Sequence, residues 1–115
     1  MLYHKDIYWP ESAARPLGGL PLRYGGHATG RAQKLGVSLP ATLPERFELI
    51  EVELDQGEVQ KWVTRFPWTT NDDLVMVVKP NGFVKTVWLN HKDDKHCTLR
   101  CRRYQNESGT ESQVA

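Results

Sequence analysis

Between Phe47 and Leu89 the chain carries four short runs of β-forming residues, joined by connections of only a few residues. A parallel pairing needs a crossover of a dozen residues or more, so consecutive runs can pair only as antiparallel neighbours. The first run, Phe47 to Leu54, sets Ile50, Val52 and Leu54 at alternating positions, and Asp55-Gln56-Gly57 reads as a tight turn. The second, Glu58 to Phe66, carries Val59, Trp62, Val63 and Phe66. After a polar loop over Pro67 to Asp73, Leu74-Val75-Met76-Val77-Val78 is unbroken apolar sequence, as for a central strand buried on both faces. Lys79-Pro80-Asn81-Gly82 follows, and Asn-Gly between two β runs is a strong hairpin signal. Phe83 to Leu89 completes the set as a fourth strand.

The sequence before this meander is of another kind. Pro10, Pro16 and Pro21 with Gly18-Gly19 predict an irregular arm over residues 1–22. Ala28, Ala32 and Leu35 then recur at helical spacing, and Gly36 is placed to stop the helix. Gly30 inside that helix costs about 1 kcal/mol relative to alanine, so packing must hold it. The expected fold is α+β: an N-terminal helical and irregular segment packed on a four-stranded antiparallel β-meander. One domain is expected over residues 1–105. The run from Asn106 to Ala115 is polar and reads as a disordered tail.

A chain of 115 residues has room for one such core, and 39% hydrophobic with 25% charged residues suits a water-soluble domain. No apolar run approaches the roughly 18 residues that span a bilayer. The polar start Met1-Leu2-Tyr3-His4-Lys5-Asp6 lacks the apolar stretch of a signal peptide, so a cytoplasmic protein is expected. In that setting Cys97 and Cys101 are expected to be reduced. With His91 and His96 they also allow a zinc-stabilised C-terminal element, although the spacing is not that of paired zinc ligands. No cofactor or metal is expected.

The net charge of +1 conceals an uneven distribution. Met1 to Arg46 has six Lys/Arg against three Asp/Glu, Phe47 to Val84 three against seven, and Lys85 to Asn106 six against two. Two basic ends therefore flank an acidic middle, and their convergence would make a face suited to an anionic ligand.

Three groups carry the residue types that phosphodiester chemistry uses. His27 and Arg31 lie four apart on the predicted helix. The fourth strand supplies Thr86, Trp88 and Asn90, and the segment after it supplies Lys92, His96, Thr98 and Arg100. Cleavage without metal needs one group to take the 2′-hydroxyl proton and another to protonate the leaving oxygen. Histidine suits both tasks because it titrates near neutrality. Arginine and lysine suit the charge that builds on phosphorus.

The pattern His27-Ala28-x-x-Arg31 ahead of a β-meander resembles small phage and bacterial proteins of the barnase–EndoU–colicin–RelE-like ribonuclease and toxin group. The likeness extends over Lys85 to Asn90 and then Asp93, Asp94, His96, Thr98, Leu99 and Tyr104, and covers about Tyr24 to Tyr104. The resemblance implies a helix packed on a four-stranded antiparallel sheet, an active cleft on the open sheet face, and metal-independent RNA cleavage.

Two functions are therefore expected. One is a cytoplasmic endoribonuclease, toxin-like or a phage effector. Its acid/base pair would be His27 and His96 with Thr98 in support, and Arg31, Thr86, Trp88, Asn90, Lys92 and Arg100 would hold the RNA. A protein antitoxin or host target could be its partner. The alternative is a non-catalytic inhibitor or binding protein acting on a host enzyme or nucleic-acid-binding partner. There the acidic strip Glu48, Glu51, Glu53, Asp55 and Glu58 would be the working surface.

Overall fold

The four runs pair in chain order, each antiparallel to the next, in the computed structural model, which describes residues 2–4 and 13–93. They form β3 (Glu48–Asp55), β4 (Glu58–Pro67), β5 (Asp72–Val78) and β6 (Phe83–His91). Two shorter strands precede them, β1 (Leu2–His4) and β2 (Arg23–Tyr24), and one helix, α1, spans Gly26–Leu35. The α+β class expected from the sequence is present. The sheet itself differs from the expected meander: it has six strands, in the order β1-β3-β4-β5-β6-β2. It is also mixed, because β1 joins β3 antiparallel whereas β2 joins β6 in parallel. These edge strands are three and two residues long, too short to show a period-2 pattern in sequence. The arm predicted to be irregular over 1–22 thus contributes a strand at Leu2–His4.

The two hairpin turns are built differently. Gln56 and Gly57 both have positive φ, 53° and 82°, as a two-residue type I′ turn requires. The Asn-Gly pair of the second hairpin does not form such a turn. Lys79 to Gly82 instead closes with Gly82 N–H donating to Lys79 O at 2.8 Å and Lys79 N–H donating to Phe83 O at 2.9 Å. Pro80 takes the position that its fixed φ favours, and only Gly82 is left-handed, at φ 88°. A Cβ on Gly82 would stand 2.2 Å from Pro21 O, so glycine is also required there for β2 to approach β6.

Alternation along the strands makes two faces. One carries Leu49, Val52, Trp62, Phe66, Leu74, Met76, Val78, Val84 and Val87, and against it pack Ala28 and Ala32 of α1. Small residues at those two helix positions let the helix lie close to β6. Gly36, at φ 71°, ends it in a Schellman arrangement, with Val37 N–H donating to Ala32 O at 3.1 Å and Gly36 N–H to Gln33 O at 3.2 Å. On this side the Tyr24 hydroxyl donates to Pro40 O, and burial pushes the phenol up to about 12. The other face holds a smaller cluster of Ile50, Val63, Val75 and Val77, with Trp88 packed against it. The run Leu74–Val78 is buried along its whole length, as its composition predicts.

Candidate functional site

At the end of the sheet where β4 passes into β5 lies an open groove of about 750 Å³. Its lining includes three arginines, Arg15, Arg46 and Arg65, together with Phe47, Phe66 and Asp73. Arg15 arrives there because the arm before it is pinned to the sheet. Trp62 Nε1–H donates to Ala14 O at 2.6 Å, and the Arg15 Nη2 group donates to Phe47 O at 3.0 Å. The Arg15 guanidinium lies 4.9 Å from the Phe47 ring centroid, a cation–π contact. Arg46 immediately precedes Phe47 and is exposed, as is Arg15.

Arg65 forms the groove's inner wall. A charged residue between Thr64 and Phe66 in a central strand must be paired if its head is withdrawn from water. The pairing is made by Asp73, on the neighbouring strand: Arg65 Nε–H donates to its Oδ2 at 2.8 Å. The Lys92 ammonium donates to the other oxygen, Oδ1, at 2.9 Å, and Arg65 Nη2 adds a bond to His91 O at 3.1 Å. Partial burial opposes ionisation of Asp73, but the hydrogen bonds and charges of Lys92 and Arg65 outweigh it. They hold the carboxyl below its ordinary value. Asp73 is therefore an anion at neutral pH, shared by two cations.

The residues singled out in the sequence fall into three sets. Thr86, Trp88 and Asn90 alternate along β6 opposite Val77, Val75 and Asp73, and so lie on the face that bears Arg65; Lys92 reaches Asp73 on that face. His27 and Arg31 belong to α1, which packs on the opposite face; both are exposed, and Arg31 Nε–H donates to Val87 O at 3.3 Å. The sheet thus stands between His27 and the set Thr86, Trp88, Asn90 and Lys92. His96, Thr98 and Arg100 lie outside the described residues, as do Cys97, Cys101 and the tail. Among the described residues, no three His, Cys, Asp or Glu side chains are gathered to hold a metal ion, and no helix is long and apolar enough to cross a membrane.

The acidic strip of β3 is not one continuous surface. Glu51 is buried, with Lys61 Nζ 4.0 Å from its Oε2, and Glu53 and Glu48 stand opposite Lys61 and Arg65 of β4. Arg15, Arg46, Arg65 and Asp73 had no place in the sequence reading. Two signals for them existed: an arginine within an apolar strand, and an aspartate directly before an apolar run, each of which demands a partner. Comparison with protein-family models, curated proteins and solved structures finds no match to this chain.

Proposed function

We propose that the protein is a non-catalytic RNA-binding module that holds the phosphate backbone in the arginine-lined groove at the end of β3, β4 and β5. The observation that carries this reading is the convergence of Arg15, Arg46 and Arg65 on one open groove. Guanidinium groups match phosphate oxygens with paired N–H donors and keep their charge at any physiological pH. Phe47, under the Arg15 guanidinium, adds an aromatic ring to the same lining, the combination by which single strands are held without sequence preference. Binding is favoured over cleavage because His27, the described residue of the expected acid/base pair, is not among the residues that line this groove.

The test is fluorescence anisotropy with a short, labelled, mixed-sequence RNA in EDTA. Wild type should bind, with the two exposed arginines contributing about −1.4 to the salt slope as two phosphate contacts. Replacing Arg15 and Arg46 together by glutamine should weaken binding roughly tenfold at low salt. Unaltered affinity in that double variant would refute the groove as the binding site. A wild-type preference for an acidic peptide over RNA would move the groove's partner to a protein.

A further inference from the structure

We propose that Asp73 is the groove's internal counter-ion and that an incoming phosphate takes Lys92 from it. The inference rests on the phosphate reading of the groove and adds to it a residue that sets affinity. The two cations on Asp73 are not equivalent. Arg65 is almost withdrawn from solvent, with its side chain 8% exposed, and it is held twice, by Asp73 Oδ2 and by His91 O. Lys92 is 37% exposed, and its ammonium has a bond to Asp73 Oδ1 at 2.9 Å. Its backbone is anchored separately, through the Lys92 N–H to Asn71 O at 3.0 Å, so the side chain can move without disturbing the strand end.

Exchange of Lys92 is therefore the low-cost event. When the ammonium leaves, the carboxylate remains paired with Arg65, and no buried charge is left without a partner. The departing lysine carries three N–H donors on a flexible four-carbon stem, from a position beside a groove already lined by Arg15, Arg46 and Arg65. A phosphate dianion or diester in the groove offers it a new partner. Asp73 itself lines the groove and repels that phosphate, so the same carboxylate restrains the groove's affinity twice, by its own charge and by its hold on Lys92.

Three variants test this with the same labelled RNA: Asp73→Asn, Lys92→Met and the two combined. Asp73→Asn should tighten binding roughly threefold to tenfold at low salt, the size expected for removing one unit charge beside the ligand. Lys92→Met should weaken binding about threefold and reduce the salt slope by about 0.7, one phosphate contact. The two should not be independent: the share of the Asp73→Asn gain that comes from freeing Lys92 should vanish in the Lys92→Met background, leaving only the share from Asp73's own charge. Unchanged affinity and salt slope in Lys92→Met would overturn the proposal, as would an Asp73→Asn gain that survives undiminished beside Lys92→Met. Lys92→Met removes only a half-exposed head group and should fold, so it decides the matter even where Asp73→Asn proves too unstable to assay. Loss of RNA binding in the Arg15/Arg46 double variant, together with additive effects at Asp73 and Lys92, would leave the groove standing and remove only the exchange.

Discussion

The same small change, glycine to alanine, should have opposite effects at different places in this fold, and Gly82 is the severest case. Its φ of 88° is a left-handed conformation that costs an L-residue about 1–2 kcal/mol. A methyl group there would lie 2.2 Å from Pro21 O, a backbone atom that cannot rotate away. Relief requires β2 to move off β6, and the Arg23 N–H bond to Gly82 O, now 2.9 Å, goes with it, at about 1 kcal/mol. The total is about 3 kcal/mol, or a fall in Tm of roughly 12 °C for a domain of this size. Gly36, at φ 71° but with nothing within 4 Å of an added Cβ, should show only the conformational part, about 1 kcal/mol. Gly30 has neither positive φ nor a close neighbour, so alanine there should stabilise by about 1 kcal/mol. Urea denaturation of the three variants gives the order directly. Equal losses at Gly82 and Gly36, or a Gly82→Ala variant within 0.5 kcal/mol of wild type, would refute the close β2–β6 approach.

Two further outcomes follow from the groove's construction. Asp73 titrates lower in the folded chain than in the unfolded one, so its stabilisation is complete above about pH 4 and is lost as pH falls through the folded value. Denaturation from pH 6 to pH 2 should therefore show a stability loss in wild type that is smaller in Asp73→Asn. Trp62→Phe keeps most of the buried ring but removes the donor to Ala14 O. It should cost about 1 kcal/mol by denaturation and weaken RNA binding, because it releases the arm that carries Arg15.

The meander was legible in the sequence because Ile50, Val52, Leu54 and the run Leu74–Val78 all demand burial, although the register shift between Leu49 and Glu51 leaves Ile50 on the face opposite Val52 and Leu54. The helix was legible from Ala28, Ala32 and Gly36, each of which does what its spacing predicts. The edge strands were not, because Arg23-Tyr24 pairs only through its approach to Phe83-Val84, a long-range contact with no local pattern. Among the described residues, none of the candidates for RNA cleavage or binding lines the groove, although Lys92 touches it through Asp73. Thr86, Trp88 and Asn90 do share a face, as alternation along β6 dictates, and Lys92, just past the strand, reaches Asp73 on it. Which face α1 covers depends on tertiary packing, and that choice separates His27 from them. Arg15 reaches the groove through Trp62, 47 positions later in the chain, a contact that no window of sequence contains.

The most direct measurement is titration of the labelled mixed-sequence RNA in EDTA with wild type, the Arg15→Gln/Arg46→Gln variant and His27→Ala, with the recovered RNA run on a gel. Binding that is lost in the arginine variant, retained in His27→Ala, and accompanied by intact RNA throughout is the expected result. RNA cleaved by wild type and spared by His27→Ala would contradict it and restore the helix face as a catalytic surface.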